Sequence, residues 1–286
     1  MTRSKILLFF YCLFCLASVT SAKENIRFSY ADFHGVISDA EGLLRLPKDK
    51  ANKQAVVILH HAGGWFSGTT HQYGEVLEMS GFVTLEVRMF DQQPDHPQKH
   101  LAQAFGALQY LAKRAEVDPA QISIMGLSYG GAAAIYAATR WANDKYNLGG
   151  VKPKAIVAFY PTCFFHEGIA TGESRIIRRL RGFGFPENFY STWIRTPIRI
   201  LIGGLDDYES RDPKACESFI NSVPDEEQRK LISVKLFPTA THGWDREQTF
   251  VSYDPLACKW KGCINTNRSD KVVTEAAKAD LIEFLK

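Results

Sequence analysis

Short, mostly apolar runs recur along the chain at 55–59, 82–87, 122–127, 155–160, 197–202 and 231–237. Ala55-Val56-Val57-Ile58-Leu59 has no polar face, the mark of a strand buried on both sides of a sheet. Between the runs, the apolar positions change to a helical period. Leu101, Phe105, Leu108 and Leu111 step by four, three and three, which predicts an amphipathic helix over 98–116. Helices are also predicted over 72–80, closed by Gly81, and over 213–223. A final helix follows Ser269-Asp270, which can cap it, and carries Val273, Ala277, Leu281 and Phe284 on one face. Residues 26–46 alternate instead, as antiparallel edge strands do, with an acidic turn at Ser38-Asp39-Ala40-Glu41. Residues 161–195 lack a clean period and read as a short helix and loops lying over the strand ends. Residues 245–268 read as a cysteine-containing loop. Strand and helix alternating through most of the chain predicts an α/β fold, a mostly parallel central sheet with helices on both faces.

Residues 1–22 stand apart. Arg3 and Lys5 precede an apolar run from Ile6 to Ala17, and Val19-Thr20-Ser21-Ala22 ends in small residues suited to cleavage before Lys23. The run is shorter than the ~20 residues of a comfortable membrane span, which favours a cleaved secretory signal over an uncleaved anchor. Residues 23–286 carry no linker, repeat or low-complexity tract and are read as one domain, secreted or periplasmic. The formal charge of the whole chain is +3; loss of Arg3 and Lys5 brings it to about +1. No basic block survives, so neither nucleic acid nor, after cleavage, a membrane surface is an expected partner. Cys163, Cys216, Cys258 and Cys263 remain of the six cysteines. Four cysteines allow three pairings. The short loop between Cys258 and Cys263 makes them a natural pair, leaving Cys163 with Cys216; free buried thiols are the alternative.

The candidate chemistry sits just past the strands, where active sites of such sheets gather. Gly126-Leu127-Ser128-Tyr129-Gly130 follows a strand and opens an alanine-rich helix, the context of a nucleophile elbow that lifts a strained serine clear of the sheet. A serine hydroxyl needs a base, and His242, in the loop after the last strand, is the candidate. An acid must orient that imidazole. Asp206 follows Gly203-Gly204-Leu205, with Asp207 as its competitor, and Ser, Asp, His is the chain order of the α/β-hydrolase arrangement. The loop His60-His61-Ala62-Gly63-Gly64-Trp65 follows a central strand. Its Ala62 amide, with that of Tyr129, is the candidate oxyanion hole. His61, Trp65, Arg88, Phe164 and Trp244 are candidate pocket residues, and the Tyr129 side chain either adds an aromatic wall or packs in the core. His34, His71, His96, His100 and His166 are read as loop or surface residues. Arg175, Arg178, Arg179 and Arg181 read as a solvated helix face, with contact to an acidic substrate as the alternative. No H-E-x-x-H occurs, and the four cysteines left after cleavage form no C-x-x-C, so no metal site is expected.

The set formed by Leu59-His60-His61-Ala62-Gly63-Gly64, Gly126–Gly131, Gly203–Tyr208 and His242-Gly243-Trp244 resembles the dienelactone hydrolase family of α/β-hydrolases. Tyr160-Pro161-Thr162-Cys163 with Cys216 also looks like a cysteine pair of its exported members. Two departures stand out. Members that open dienelactone use a cysteine nucleophile where Ser128 stands, and a glutamate where His61 stands. The resemblance implies a hydrolase of a small-molecule ester or lactone with no metal or organic cofactor. A peptidase or acyltransferase on the same residues, or a non-catalytic binding protein on a hydrolase scaffold, are the alternative functions.

Overall fold

The computed structural model describes residues 22–48 and 51–286. The segment read as a secretory signal lies, up to Ser21, outside them. The strands are β1 (Ala22–Ala31), β2 (Ile37–Leu46), β3 (Ala55–Leu59), β4 (Val83–Arg88), β5 (Ile122–Leu127), β6 (Ile156–Phe159), β7 (Ile198–Gly203) and β8 (Ile232–Phe237). They form one sheet in the order β1-β2-β4-β3-β5-β6-β7-β8. The pairs β1–β2 and β2–β4 are antiparallel and all the others parallel. All of β3 and β5 is buried, as the unbroken apolar run of β3 and the mostly apolar run of β5 require.

The helices around the sheet are α1 (His71–Met79), α2 (Pro97–Ala112), α3 (Tyr129–Tyr136), α4 (Arg140–Tyr146), α5 (Cys163–Thr171), α6 (Ser174–Gly182), α7 (Ala215–Ser222), α8 (Glu226–Arg229) and α9 (Lys271–Leu285). α2 buries Leu101, Phe105, Leu108 and Leu111, the stripe its period predicts. α9 is capped by Asp270, whose carboxylate accepts from the Val273 amide at 3.0 Å. Val273, Ala277 and Leu281 are buried on that helix, and Phe284 is half-buried.

Three local expectations are corrected. The β1–β2 turn lies at 32–36, where Asp32 accepts from the amides of His34 and Val36 (2.8 and 2.9 Å) and Gly35 takes φ 80°. Residues 38–41 belong to β2; Asp39 and Glu41 are acidic because they face Ser29 and Arg27 across the strand pair. Residues 161–195 hold two helices, α5 and α6, rather than one. Residues 245–268 hold a hairpin of β9 (Phe250–Asp254) and β10 (Cys263–Asn267). Asn267, in an Asn-Arg-Ser sequon, is only 3% exposed, which leaves its amide no room for a glycan.

Cys163 is bonded to Cys216, S–S 2.01 Å, joining α5 to α7. Cys258 is bonded to Cys263, S–S 2.17 Å, at the end of the hairpin. Among the described residues no helix is long and apolar enough to cross a membrane, and no group of three or more His, Cys, Asp or Glu side chains is placed to hold a metal ion.

Candidate active site

Ser128 occupies the single residue between β5 and α3 and takes φ 50°, ψ −112°. For a residue with a β-carbon that backbone costs on the order of 1–3 kcal/mol. It is tolerated because the crossing leaves no alternative. A β-carbon on Gly126 would lie 2.1 Å from the Gly130 carbonyl oxygen, and one on Gly130 would lie 2.3 Å from that of Leu59. The Ser128 amide donates to Phe159 O at 2.8 Å, pinning the turn to β6.

His242 follows β8 by a short loop, and its Nε2 lies 2.9 Å from Ser128 Oγ. On the other side of the ring, Nδ1 lies 2.8 Å from Oδ2 of Asp206, a fully buried carboxylate in the turn after β7. The second Asp206 oxygen accepts from the Tyr208 amide at 2.9 Å. Asp207 points elsewhere: it accepts from Arg211 Nε (2.8 Å) and from the Thr266 amide on β10 (2.9 Å). The imidazole lies between two tyrosine rings, Tyr160 at 4.8 Å and Tyr208 at 4.4 Å. Behind them the buried Asp245 accepts from Tyr160 Oη (2.7 and 2.8 Å) and from Tyr73 Oη (2.6 Å). Burial raises the Asp245 pKa, while the two phenol donors oppose the shift. The sequence offered one signal for this backing: Tyr160 ends a strand and Tyr208 directly follows the acidic pair.

The loop after β3 is held by its two histidines in opposite tautomers. His60 Nε2 accepts from the Met89 amide (3.1 Å), so Nδ1 donates to His61 O (3.0 Å). His61 Nδ1 accepts from the Gly63 amide (2.8 Å), so Nε2 donates to Thr69 Oγ1 (3.1 Å). Burial pushes their pKa values down to about 4 and about 3, which keeps both rings neutral. Gly64 is required here, since its φ is 80° and a β-carbon would meet Asp91 O at 2.1 Å. The loop presents Ala62 beside Ser128 and Tyr129, and the Tyr129 amide stands at the open start of α3.

A cavity of about 230 Å3 opens over Ser128. Ala62, Tyr129 and Ala132 lie in its lining near the serine, and Tyr136, Phe164, Phe165, Phe183 and Trp260 are its aromatic wall. Of the five candidate pocket residues only Phe164 lines it. His61 is spent on the loop. Trp65 packs against His60 and His71. Arg88 is paired with Glu41 and Asp91 on the surface. Trp244 is fully buried, its ring 4.8 Å from Tyr160, behind His242 rather than in front of it. His100 and His166 are core residues. His100 bonds Tyr129 Oη (2.7 Å) and Asp95 (2.6 Å), and His166 bonds Tyr190 Oη (2.5 Å). The Tyr129 phenol is thereby anchored toward α2.

A mostly parallel sheet with a strained serine at the end of β5, an imidazole after β8 and a buried carboxylate after β7 defines a chain of the α/β-hydrolase fold. The family model for the dienelactone hydrolase family matches residues 40–266, and the chain belongs to that family. As a member it is a hydrolase acting on ester bonds. Its fold is shared with Est1E from Butyrivibrio proteoclasticus (TM-score 0.56, 18% identity, 90% of this chain and 98% of that one). It is shared also with Thermogutta terrifontis esterase 2 (0.61, 17%, 92% and 93%) and the Pyrococcus furiosus esterase Pf2001 (0.57, 16%, 93% and 92%). No curated protein matches the chain.

Proposed function

We propose that this chain is a serine-dependent carboxylic-ester hydrolase working through an acyl-enzyme on a Ser128–His242–Asp206 triad. One observation carries the reading: the unbroken relay from Ser128 Oγ to His242 Nε2 (2.9 Å) and from Nδ1 to Asp206 Oδ2 (2.8 Å). With Asp206 accepting from Nδ1–H, Nε2 is left as the free base. It takes the hydroxyl proton as Ser128 attacks the ester carbonyl. The amides of Ala62 and Tyr129 receive the oxyanion. His242 then protonates the departing alcohol, and a water activated by the same ring releases the acid and restores Ser128.

We also take residues 23–286 as one domain that works outside the cytoplasm. The continuous sheet supports the first point, and two disulfides, which a reducing cytosol does not maintain, support the second.

The test is turnover of p-nitrophenyl acetate together with labelling by an organophosphorus reagent. Thermogutta terrifontis esterase 2 is phosphorylated by paraoxon, which recommends the same reagent here. Wild type should be labelled once and inactivated, and Ser128→Ala should lose about 10⁴-fold or more in kcat and stay unlabelled. Near-normal turnover by Ser128→Ala would refute the triad. A wild type that is neither active nor labelled would mark a binding protein on the same scaffold.

A further inference from the structure

The turn that carries Trp260 is built against the preference of an L-amino-acid chain. Cys258, Lys259 and Trp260 take φ of 55°, 52° and 62°, three consecutive left-handed residues with no glycine among them. Left-handed backbone crowds each β-carbon against the following carbonyl, so such a run persists only where its surroundings over-determine it. Here they do. The Cys258–Cys263 disulfide clips its start. The Cys258 amide donates to Asp207 O (2.9 Å) and the Lys259 amide to Tyr208 O (3.0 Å), tying the turn to the segment that holds Asp206. Arg175 and Arg179 of α6 lie over the Trp260 ring, 4.9 and 5.6 Å from its centre. Two like charges one helical turn apart weaken a helix. The shared indole face offsets that repulsion, and it accounts for half of a basic run that otherwise reads as solvated surface.

What the strain achieves is the placement of one ring. Trp260 packs 5.2 Å from the Phe165 ring and 6.3 Å from the Phe164 ring, and with them walls the cavity above Ser128. That cavity, about 230 Å3, is larger than the ~150 Å3 that accommodates a benzene molecule. Two charged side chains line it: Asp95 is paired with Lys99 (2.7 Å) and His100 (2.6 Å), and the Arg179 guanidinium lies over the Trp260 and Phe183 rings, which leaves the aromatic surface to choose the occupant. We propose that Trp260, presented by the left-handed turn that the Cys258–Cys263 disulfide clips, selects esters carrying a single aromatic ring next to the ester group. The proposal rests on the ester-hydrolase reading above.

The experiment compares kcat/KM for matched ester pairs by pH-stat: methyl phenylacetate against methyl butanoate, and benzyl acetate against propyl acetate. The first pair places the ring on the acyl side, the second on the alcohol side. Wild type should favour the aromatic member of at least one pair. Trp260→Ala should cut that ratio about tenfold, the worth of one aromatic contact with its burial. Trp260→Phe should restore most of it, and the double variant Cys258→Ser/Cys263→Ser should cut it as well. An unchanged ratio in both pairs, with hydrolysis present and abolished in Ser128→Ala, overturns the selection and leaves the ester-hydrolase reading intact. A ratio that falls in Trp260→Ala but not in the cysteine variant overturns the role of the clip. No hydrolysis of any ester by wild type overturns both readings.

Discussion

The cavity has a floor and a wall, and they are held by different physics. The floor is Ser128, His242, Asp206 and the Ala62 loop, each set by the end of a parallel strand in one continuous sheet. Backbone pairing and close glycine contacts leave those positions little freedom. The wall is α5, α6 and the turn at 257–260, outside the sheet. It is held by two disulfides, stacked rings and guanidinium–indole contacts. One part is positioned by the fold itself, and the other is fastened to it. Substitutions in the floor should therefore show in chemistry, and substitutions in the wall in selectivity and stability.

The sharpest way to break this contrast is at the adjacent acids. Asp206→Asn should lower kcat about 10³–10⁴-fold with the fold intact, because the imidazole loses its orienting acceptor. Asp207→Asn should keep kcat within about tenfold and lower Tm, since Asp207 instead joins Arg211 to the β10 amide of Thr266. Equal losses of kcat in the two variants would reverse the assignment. A smaller effect, and one on stability, is expected in the wall. Cys163→Ser/Cys216→Ser removes a cross-link between residues 53 apart and should cost about 2–4 kcal/mol in urea unfolding. An unchanged urea midpoint would mean that α5 needs no fastening.

A pH dependence is expected where floor and wall meet. Glu209 is fully buried, accepts from the Phe164 amide at 3.0 Å, and has its pKa pushed up to about 8 by burial and then by the nearby Asp206. The folded state therefore holds a proton that the unfolded chain releases near pH 4.5. Stability from this group is full below that pH and is lost as pH rises toward 8. Glu209→Gln should consequently gain Tm relative to wild type at pH 8 but not at pH 4, and parallel Tm curves would dismiss the idea. His60 and His61 act in the opposite direction. Their lowered values make stability full above pH 6.5 and lost as pH falls through about 4 to about 3, so the Ala62 loop should loosen in acid.

Much of the floor was legible in the sequence because it is written in local signals. The glycines either side of Ser128, the apolar runs of β3 and β5 and the loops after β7 and β8 each identify themselves within a few residues. The misreadings share one cause: the partner lies far away in sequence. The acidic stretch 38–41 looks like a turn until Arg27 and Ser29 are found across the strand. His100 and His166 look like surface residues until Tyr129 and Tyr190 supply their hydrogen bonds. Trp244 lies only two residues after His242, yet Gly243 between them takes a left-handed φ of 58° and turns the chain, and the Trp244 ring entered the core.

By itself the sequence determined the alternation of strand and helix, the strained serine between two glycines, and the order Ser, Asp, His, because periodicity and turn chemistry act over short stretches of chain. Only the tertiary structure decided which of two neighbouring aspartates meets the imidazole, which aromatic rings close the cavity, and that Arg175 and Arg179 of α6 lie over the Trp260 ring. Those outcomes depend on which distant side chains a folded backbone brings within a few ångströms, and no local pattern carries that information.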